Sequence, residues 1–416
     1  MRIDRRTFLG MAAAAPFVSA SHAQRGRGGP SYPVPDAVKS LKPMLDGVQP
    51  ITADERRARI AKAQSIMREH KMGGLVMEGG TSMYYFTGLR GGAADPLTAV
   101  VLPAKGDPVW VTAAASAMHP PGDVRTYEPD GNPYLRITQA LKDRGAAGSI
   151  GMEERVRFSV FDGLRKESPS LEFVSGDPVT IGCRVIKSPA EIALLQRAND
   201  VTIACYKAVL STLHEGMDQR ELSSNISAAY AALGVRGDAM VSFGEYTAFP
   251  HGSIQPQKLK EGDLVLVDDG CSVEGYQSDI TRTLIFGKPT ARQRQVWDLE
   301  RKAQDAALAA AKPGATCESV DAAARGVITA AGFGPGYKTP GLPHRTGHGI
   351  GLDGHEWTYL VKGNTTKLQP GMCFSDEPTI AIYGEFGVRL EDCMYVTESG
   401  ARMFTKQSPA IDQPFG

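Results

Sequence analysis

The stretch from Asp263 to Phe286 constrains the fold of this chain more than any other. Asp263-Leu-Val-Leu-Val-Asp268 and Asp279-Ile-Thr-Arg-Thr-Leu-Ile-Phe286 are two apolar strand runs, joined by a polar, glycine-containing segment. They read as a hairpin whose turn is centred near Val273 to Gly275. Asp268 and Asp279 are about equidistant from that centre, so they are expected opposite one another on paired strands. Two facing carboxylates repel unless a proton or a cation lies between them. The arrangement recurs near the C-terminus, where Glu377 and Glu391 flank a turn at Gly384-Glu-Phe-Gly387.

A histidine cluster separates the two hairpins: His344-Arg-Thr-Gly-His348-Gly-Ile-Gly-Leu-Asp-Gly-His355-Glu356. Four carboxylates and an imidazole (Asp268, Asp279, Glu377, Glu391 and His348) do not suit a structural zinc site, which prefers sulfur and nitrogen. They suit a pair of divalent ions such as Mn, with Co, Zn or Fe as alternatives. Two such ions about 3.5–4 Å apart activate water and polarise a carbonyl, so the expected chemistry is hydrolysis. Gly349-Ile-Gly-Leu-Asp-Gly354 has the glycine spacing of a dinucleotide loop but lacks the preceding βαβ context. His355-Glu356 does not begin a zinc-protease helix, because position 359 is Tyr.

Charge adds an exclusion. Lys plus Arg and Asp plus Glu are both 46, so no excess of either sign calls for nucleic acid or an anionic membrane. A peptide or small amide substrate is expected instead. Arg5-Arg6, the short apolar run Met11 to Ala20 and Ser21-His22-Ala23 resemble a twin-arginine export signal over residues 1–23. That implies the twin-arginine machinery as a partner and a periplasmic or secreted product. The run is too short to span a membrane, and no other segment reaches the needed length. The six cysteines (Cys183, Cys205, Cys271, Cys317, Cys373 and Cys393) have no paired spacing. They are expected as buried small apolar residues rather than a disulfide framework.

Residues 24–50, rich in Gly, Pro and Arg, read as a linker or wrapping arm. Thr52-Ala-Asp-Glu55 has the capping-box pattern and opens a helix to about His70. Strands at 75–77, 99–102, 109–112 and 149–152, with a helix at about 134–144, make residues 51–186 an α/β domain. Lys187-Ser-Pro-Ala-Glu191 opens a second domain over 187–405 with a long helix to about His214. Helices at 218–233, 290–311 and 317–331 follow, among Gly- and Pro-rich strands, so this domain is expected as α+β with antiparallel hairpins. Residues 406–416 are expected as a C-terminal tail.

With those motifs in place, the chain resembles the M24 metallopeptidases over about residues 50–405, and within them the Xaa-Pro peptidase branch of prolidase, aminopeptidase P and creatinase relatives. The resemblance implies a creatinase-type N-terminal domain, a pita-bread catalytic domain and a homodimer. It implies a dinuclear-metal exopeptidase acting at Xaa-Pro bonds, as dipeptidase or aminopeptidase. The alternative is a creatinase-like or ectoine-hydrolase-like enzyme acting on a non-peptide amide or C–N bond. By position, Asp268 would bind one metal, Asp279 and Glu391 would bridge both, and His348 and Glu377 would complete the other. His355 would hydrogen-bond the tetrahedral intermediate, His251 would match the family's other substrate histidine among the catalytic residues, and Glu377 would shuttle a proton. His344 and Arg389 would contact substrate or orient the bridging groups. The sequence departs from the family where Glu377-Pro378-Thr379-Ile380-Ala381 replaces a usual Glu-Pro-Gly and nearby Tyr, which implies an altered substrate pocket. Gly354 in place of a common Val is a smaller change.

Overall fold

The computed structural model describes residues 32–92, 95–116 and 120–415; the export signal expected over 1–23 lies outside them. The chain enters with a single helical turn, α1 (Asp36–Lys39), and α2 (Ala53–Glu69). The first domain is a six-stranded mixed sheet built from β1 (Met72–Glu78), β2 (Ala99–Pro103), β3 (Val109–Ala113), β4 (Asp123–Tyr127), β5 (Ser149–Met152) and β6 (Phe173–Ser175), in the order β4-β3-β2-β1-β5-β6. β1, β2 and β3 are buried at every residue, as continuous apolar runs covered on both faces should be. Helices α3 (Thr81–Thr87), α4 (Pro133–Asp143), α5 (Phe158–Glu167) and α6 (Asp177–Arg184) complete the domain. The edge strands β4 and β6 were not expected from sequence; one is half exposed and the other has three residues, too little apolar signal to read.

At the domain junction Ser188 forms a full capping box with Glu191 and starts α7 (Pro189–Leu210). At Thr52 only half of the expected box forms. The Thr52 hydroxyl accepts from the Glu55 amide, but the Glu55 carboxylate turns to Arg59 (3.0 Å) and to the Ser188 hydroxyl (2.7 Å). That carboxylate therefore ties the first helix of one domain to the first helix of the next.

The second domain continues with α8 (Gln219–Leu233), β7 (Arg236–Phe243), β8 (Leu264–Val273), β9 (Tyr276–Gln277), β10 (Ile280–Ile285), α9 (Ala291–Ala310) and α10 (Cys317–Ala330). Then come β11 (Gly347–Gly349), β12 (Glu356–Leu360), β13 (Cys373–Asp376), β14 (Thr379–Ile382), β15 (Phe386–Arg389), β16 (Asp392–Thr397) and β17 (Gly400–Met403). One antiparallel sheet runs β10-β8-β7, a second β12-β11-β13-β16-β17, and β14-β15 is a separate hairpin. Helices α7 and α8 pack on the first sheet, and α9 and α10 on the second, so each sheet buries one face against its own helix pair.

Two segments differ from expectation. Residues 35–50 lie against the second domain: Val38 is buried, and the Met44 amide bonds to the Leu233 carbonyl. Of the expected tail over 406–416, Ile411 belongs to the core: it is fully buried and its carbonyl accepts from the Ile285 amide. All six cysteines are free and buried. Among the described residues no helix is long and apolar enough to cross a membrane.

Candidate metal centre and active site

β8 and β10 pair with Asp268 opposite Thr281 and Asp269 opposite Ile280, while Ser272 pairs with Gln277. The turn is Glu274-Gly275, with φ of 50° and 91°, the two positive values that a type I′ hairpin needs. This centre lies slightly beyond the one expected, so Asp279 falls beside Gly270 and not opposite Asp268. The two carboxylates are diagonal neighbours on one face rather than directly opposed. A Cβ at Gly270 would lie 2.1 Å from the Ser278 carbonyl oxygen, so the close approach of the Asp279 segment requires glycine there. Strand alternation sends Asp269 to the opposite face, where the Tyr230 hydroxyl donates to it.

Glu377 and Glu391 do face each other as expected. Asp376 pairs with Asp392 on one side of them and Thr379 with Arg389 on the other. A seam joins this hairpin to the first: Thr281 and Glu391 exchange backbone hydrogen bonds of 3.3 and 3.1 Å. The Thr283 hydroxyl donates to the Arg389 carbonyl at 2.7 Å and accepts from its amide at 3.1 Å. The seam sets the four carboxylates around one cavity of about 440 Å³.

His348 supplies the nitrogen. The Gly349 carbonyl can only accept, so Nδ1–H donates to it at 3.1 Å and the lone pair resides on Nε2. Burial, then the neighbouring His355, holds this imidazole neutral, with its pKa lowered to about 3. Nε2 lies 3.3 Å from Glu377 Oε1 and 3.5 Å from Asp279 Oδ2. Lone pairs facing carboxylate oxygens at these distances require a shared proton or a cation. Burial and the charge of Asp268 push the Asp279 carboxyl well above its ordinary range; burial and Asp279 do the same to Glu391. Burial raises Glu377 to about 7, with Arg389 opposing the shift.

Ligand atoms of His348, Glu377 and Glu391 lie within 4.8 Å of one another, as do those of Asp268, Asp279 and Glu391. Asp279 and His348 also meet the same limit with His355. The donor set thus fits two cations, with Glu391 common to both triads and Asp279 within reach of His348. His355 is the poorer ligand. Arg345 donates to its Nδ1 at 2.9 Å, so the neutral ring carries its proton on Nε2 and offers no lone pair.

Arg389 is buried and engaged at all three nitrogens: with Asp268, with the Thr281 hydroxyl at 3.0 Å and with the Pro250 carbonyl at 2.9 Å. Thr281 in turn donates to Glu391 Oε2 at 2.6 Å. Arg389 therefore orients ligands on both hairpins. His251 is exposed and lines the cavity. His344 lines it too, but both its nitrogens are occupied: Nδ1 donates to the Arg345 carbonyl at 2.6 Å, and Nε2 accepts from the Thr379 hydroxyl at 2.9 Å. Burial, then the charge of Arg389, lowers its pKa to about 3. Ala381 is fully buried with its backbone paired to Gly341, and it is no wall of the cavity. Of the altered segment, Thr379 reaches the site through its bond to His344.

Several site residues escaped sequence reading. Thr281 could have been found, since strand alternation puts it on the face of Asp279. Ser375, whose hydroxyl accepts from the His348 amide at 3.1 Å, and Arg345 carry no local signal that sets them apart. Neither does Asp353, which anchors the loop bearing His355. Its carboxylate accepts from Arg184 (2.7 Å), Arg155 (2.9 Å) and Thr81 (2.8 Å) of the first domain, and Glu356 is held by Arg184 (2.5 Å) and Lys187 (3.1 Å).

Comparison with known proteins finds relatives of both domains. The profile of metallopeptidase family M24 matches residues 193–398, and that of the creatinase/prolidase N-terminal domain matches residues 59–186. An Xaa-Pro dipeptidase of Lactobacillus delbrueckii subsp. lactis is 31% identical over 364 residues, covering 84% of this chain and 97% of that protein. The structure of dipeptidase PepE from Mycobacterium ulcerans superposes with a TM-score of 0.80 at 32% identity, over 88% of this chain and all of that one. Prolidase from Thermococcus sibiricus gives a TM-score of 0.77 at 28% identity, over 84% and 97% of the two chains.

Proposed function

The chain belongs to metallopeptidase family M24, with a creatinase-type N-terminal domain before a pita-bread catalytic domain, and from that premise we propose that it is an exopeptidase hydrolysing Xaa-Pro bonds. The observation that carries the reading is the intact set Asp268, Asp279, His348, Glu377 and Glu391 converging on one cavity. These residues would hold two divalent ions, with Mn proposed as the native metal. Such ions supply Lewis-acid polarisation of the scissile carbonyl and water activation at neutral pH.

The protein's own groups do the rest. Glu377, whose carboxylate lines the cavity beside His348, is placed to take a proton from the attacking water and return one to the leaving nitrogen. His355, protonated on Nε2 by virtue of Arg345, presents an N–H to the oxygen that becomes negative in the transition state. His251 stands at the cavity mouth as a second imidazole donor. Arg389 and Thr281 keep Asp268 and Glu391 from turning away.

Purified protein loaded with Mn should hydrolyse Ala-Pro or Ala-Pro-Ala and spare dipeptides without proline. Metal occupancy without turnover of any Xaa-Pro peptide would rule the reading out. His348→Ala should lose both bound metal and activity.

Export through the twin-arginine route to the periplasm or beyond is proposed from Arg5-Arg6 and the apolar run after it. Fractionation of an Arg5→Lys, Arg6→Lys variant tests it, since that variant should stay in the cytoplasm. Homodimerisation is proposed from the family resemblance and is read by light scattering.

A further inference from the structure

One ion pair of the second domain is enclosed without lining the metal cavity. The face that α10 turns to the core carries Cys317, Val320, Ala324 and Ile328, and within that apolar stripe stands Asp321, 1% exposed. A carboxylate in such a place costs stability unless its oxygens are paired. Those of Asp321 are. Oδ1 accepts from the Thr346 amide (3.1 Å), the Thr346 hydroxyl (2.8 Å) and Arg325 Nη2 (3.0 Å), and Oδ2 accepts from Arg325 Nε (3.1 Å). Arg325, one turn further along the helix, then has three N–H groups left. They donate to the carbonyls of Gly336 (2.7 Å), Leu342 (2.9 Å) and His344 (2.8 Å). Every bond that leaves the pair thus ends on the segment leading into His348.

We propose that Asp321 and Arg325 are positioning residues for one of the two metal positions, the one that His348 and Glu377 form. The proposal rests on the two-ion reading of the ligand set. Thr346 is the link. Its amide and hydroxyl are fixed by Asp321, and its carbonyl accepts from the Glu377 amide at 2.8 Å. His348 follows two residues later on β11. The Ser375 hydroxyl completes the frame, accepting from the His348 amide at 3.1 Å and donating to Glu377 Oε1 at 3.4 Å. A displaced Thr346 therefore moves both ligands together. The other position is framed differently: Arg389 donates to Asp268, and the Thr281 hydroxyl donates to Glu391. The bonds of Asp321 and Arg325 all lie outside that second frame. Loosening the pair is therefore selective. It weakens the position of His348 and Glu377 and spares Asp268, Asp279 and the shared Glu391.

The test is Mn binding to the purified protein, read as stoichiometry and affinity by calorimetry and as coupled or lone Mn by electron paramagnetic resonance. Asp321→Asn keeps the shape and removes the charge that holds Arg325. One Mn ion should then bind about 10- to 100-fold more weakly while the other changes by less than about threefold, and the coupled signal should give way to that of a lone ion. Arg325→Lys keeps the charge but loses the fork of donors, and should fall between wild type and Asp321→Asn. Both ions weakened alike, or neither weakened, overturns the proposal. A lower melting temperature with metal binding intact also overturns it and makes the pair structural only. Should Asp321→Asn not fold, Thr346→Val deletes only the hydroxyl bond and should show the same selective loss. Amide exchange of the metal-free protein separates the proposal from the two-ion reading. In Asp321→Asn, exchange should quicken at the Thr346 and Glu377 amides and stay unchanged at those of Thr281 and Glu391. If wild type takes up a single ion yet exchange quickens in that pattern, the two-ion reading fails and the positioning role stands. If it takes up two, and neither exchange nor affinity changes selectively, the positioning role fails and the two-ion reading stands.

Discussion

Glu377 and His348 touch the same point with opposite protonation tendencies, and that fixes how metal loading depends on pH. Burial lifts Glu377 to about 7 and holds His348 at about 3. Asp279 and Glu391 are also displaced upward. Below about pH 7 protons therefore compete with metal at the carboxyls, whereas the imidazole stays neutral and does not compete. Metal affinity is expected to fall as pH drops from 8 to 6, with protons released on binding. Titration calorimetry in buffers of different ionisation enthalpy reads that release, and a pH-independent affinity would contradict it. Thr281 joins Arg389 to Glu391 through one hydroxyl. Thr281→Val keeps the shape and removes both bonds, so metal Kd should rise about 10-fold or more with the fold intact by circular dichroism.

The loop from Gly351 to Glu356 shows how one element borrows its geometry from another domain. Asp353 and Glu356 flank His355, and each is pinned by first-domain or junction cations, of which Arg184 and Lys187 are buried and Arg155 is half exposed. Removing one partner of such a pair leaves a buried charge uncompensated, at a cost of about 3–5 kcal/mol. Asp353→Asn should lose stability of that order in chemical denaturation and lower kcat, while metal content is unchanged. Loss of metal with kcat retained per loaded site would show that the clamp serves the ligands instead. The hairpins are legible at this scale to different degrees. Glu377 and Glu391 face each other as their spacing says, but the Asp268–Asp279 register is set by the positive φ values of Glu274 and Gly275. A small shift of turn centre, invisible in hydrophobic pattern, turns a direct pair into a diagonal one.

Across the whole molecule the largest apolar cluster crosses the domain boundary, while two others keep their buried members within one domain. Leu75, Met77 and Phe86 of the first domain belong to one buried cluster with Leu195, Tyr206 and Val265 of the second. Arg59 adds polar ties, donating to the Tyr276 hydroxyl at 3.0 Å. An interface this apolar couples the two units, so calorimetry should show a single unfolding transition. Two resolved transitions would mean that the interface does not carry that coupling. The segment after Met403 belongs to the same cooperative unit: Ile411→Ala should cost about 2–4 kcal/mol, whereas a free tail would show no change.

The sequence by itself determined the longer elements and the set of candidate ligands. Long apolar runs, capping residues at Ser188 and Thr52 and paired acids at strand ends are local patterns, and local patterns survive without the fold. Only the tertiary structure decided which groups are spent and which are free. The seam between Thr281 and Glu391 brings hairpins more than a hundred residues apart to one cavity. Burial sets the protonation of His348 and Glu377, Thr379 closes His344, and the Arg345 guanidinium bonds to His355. Those outcomes depend on distances between segments remote in sequence, where electrostatics and desolvation act and periodicity carries no information.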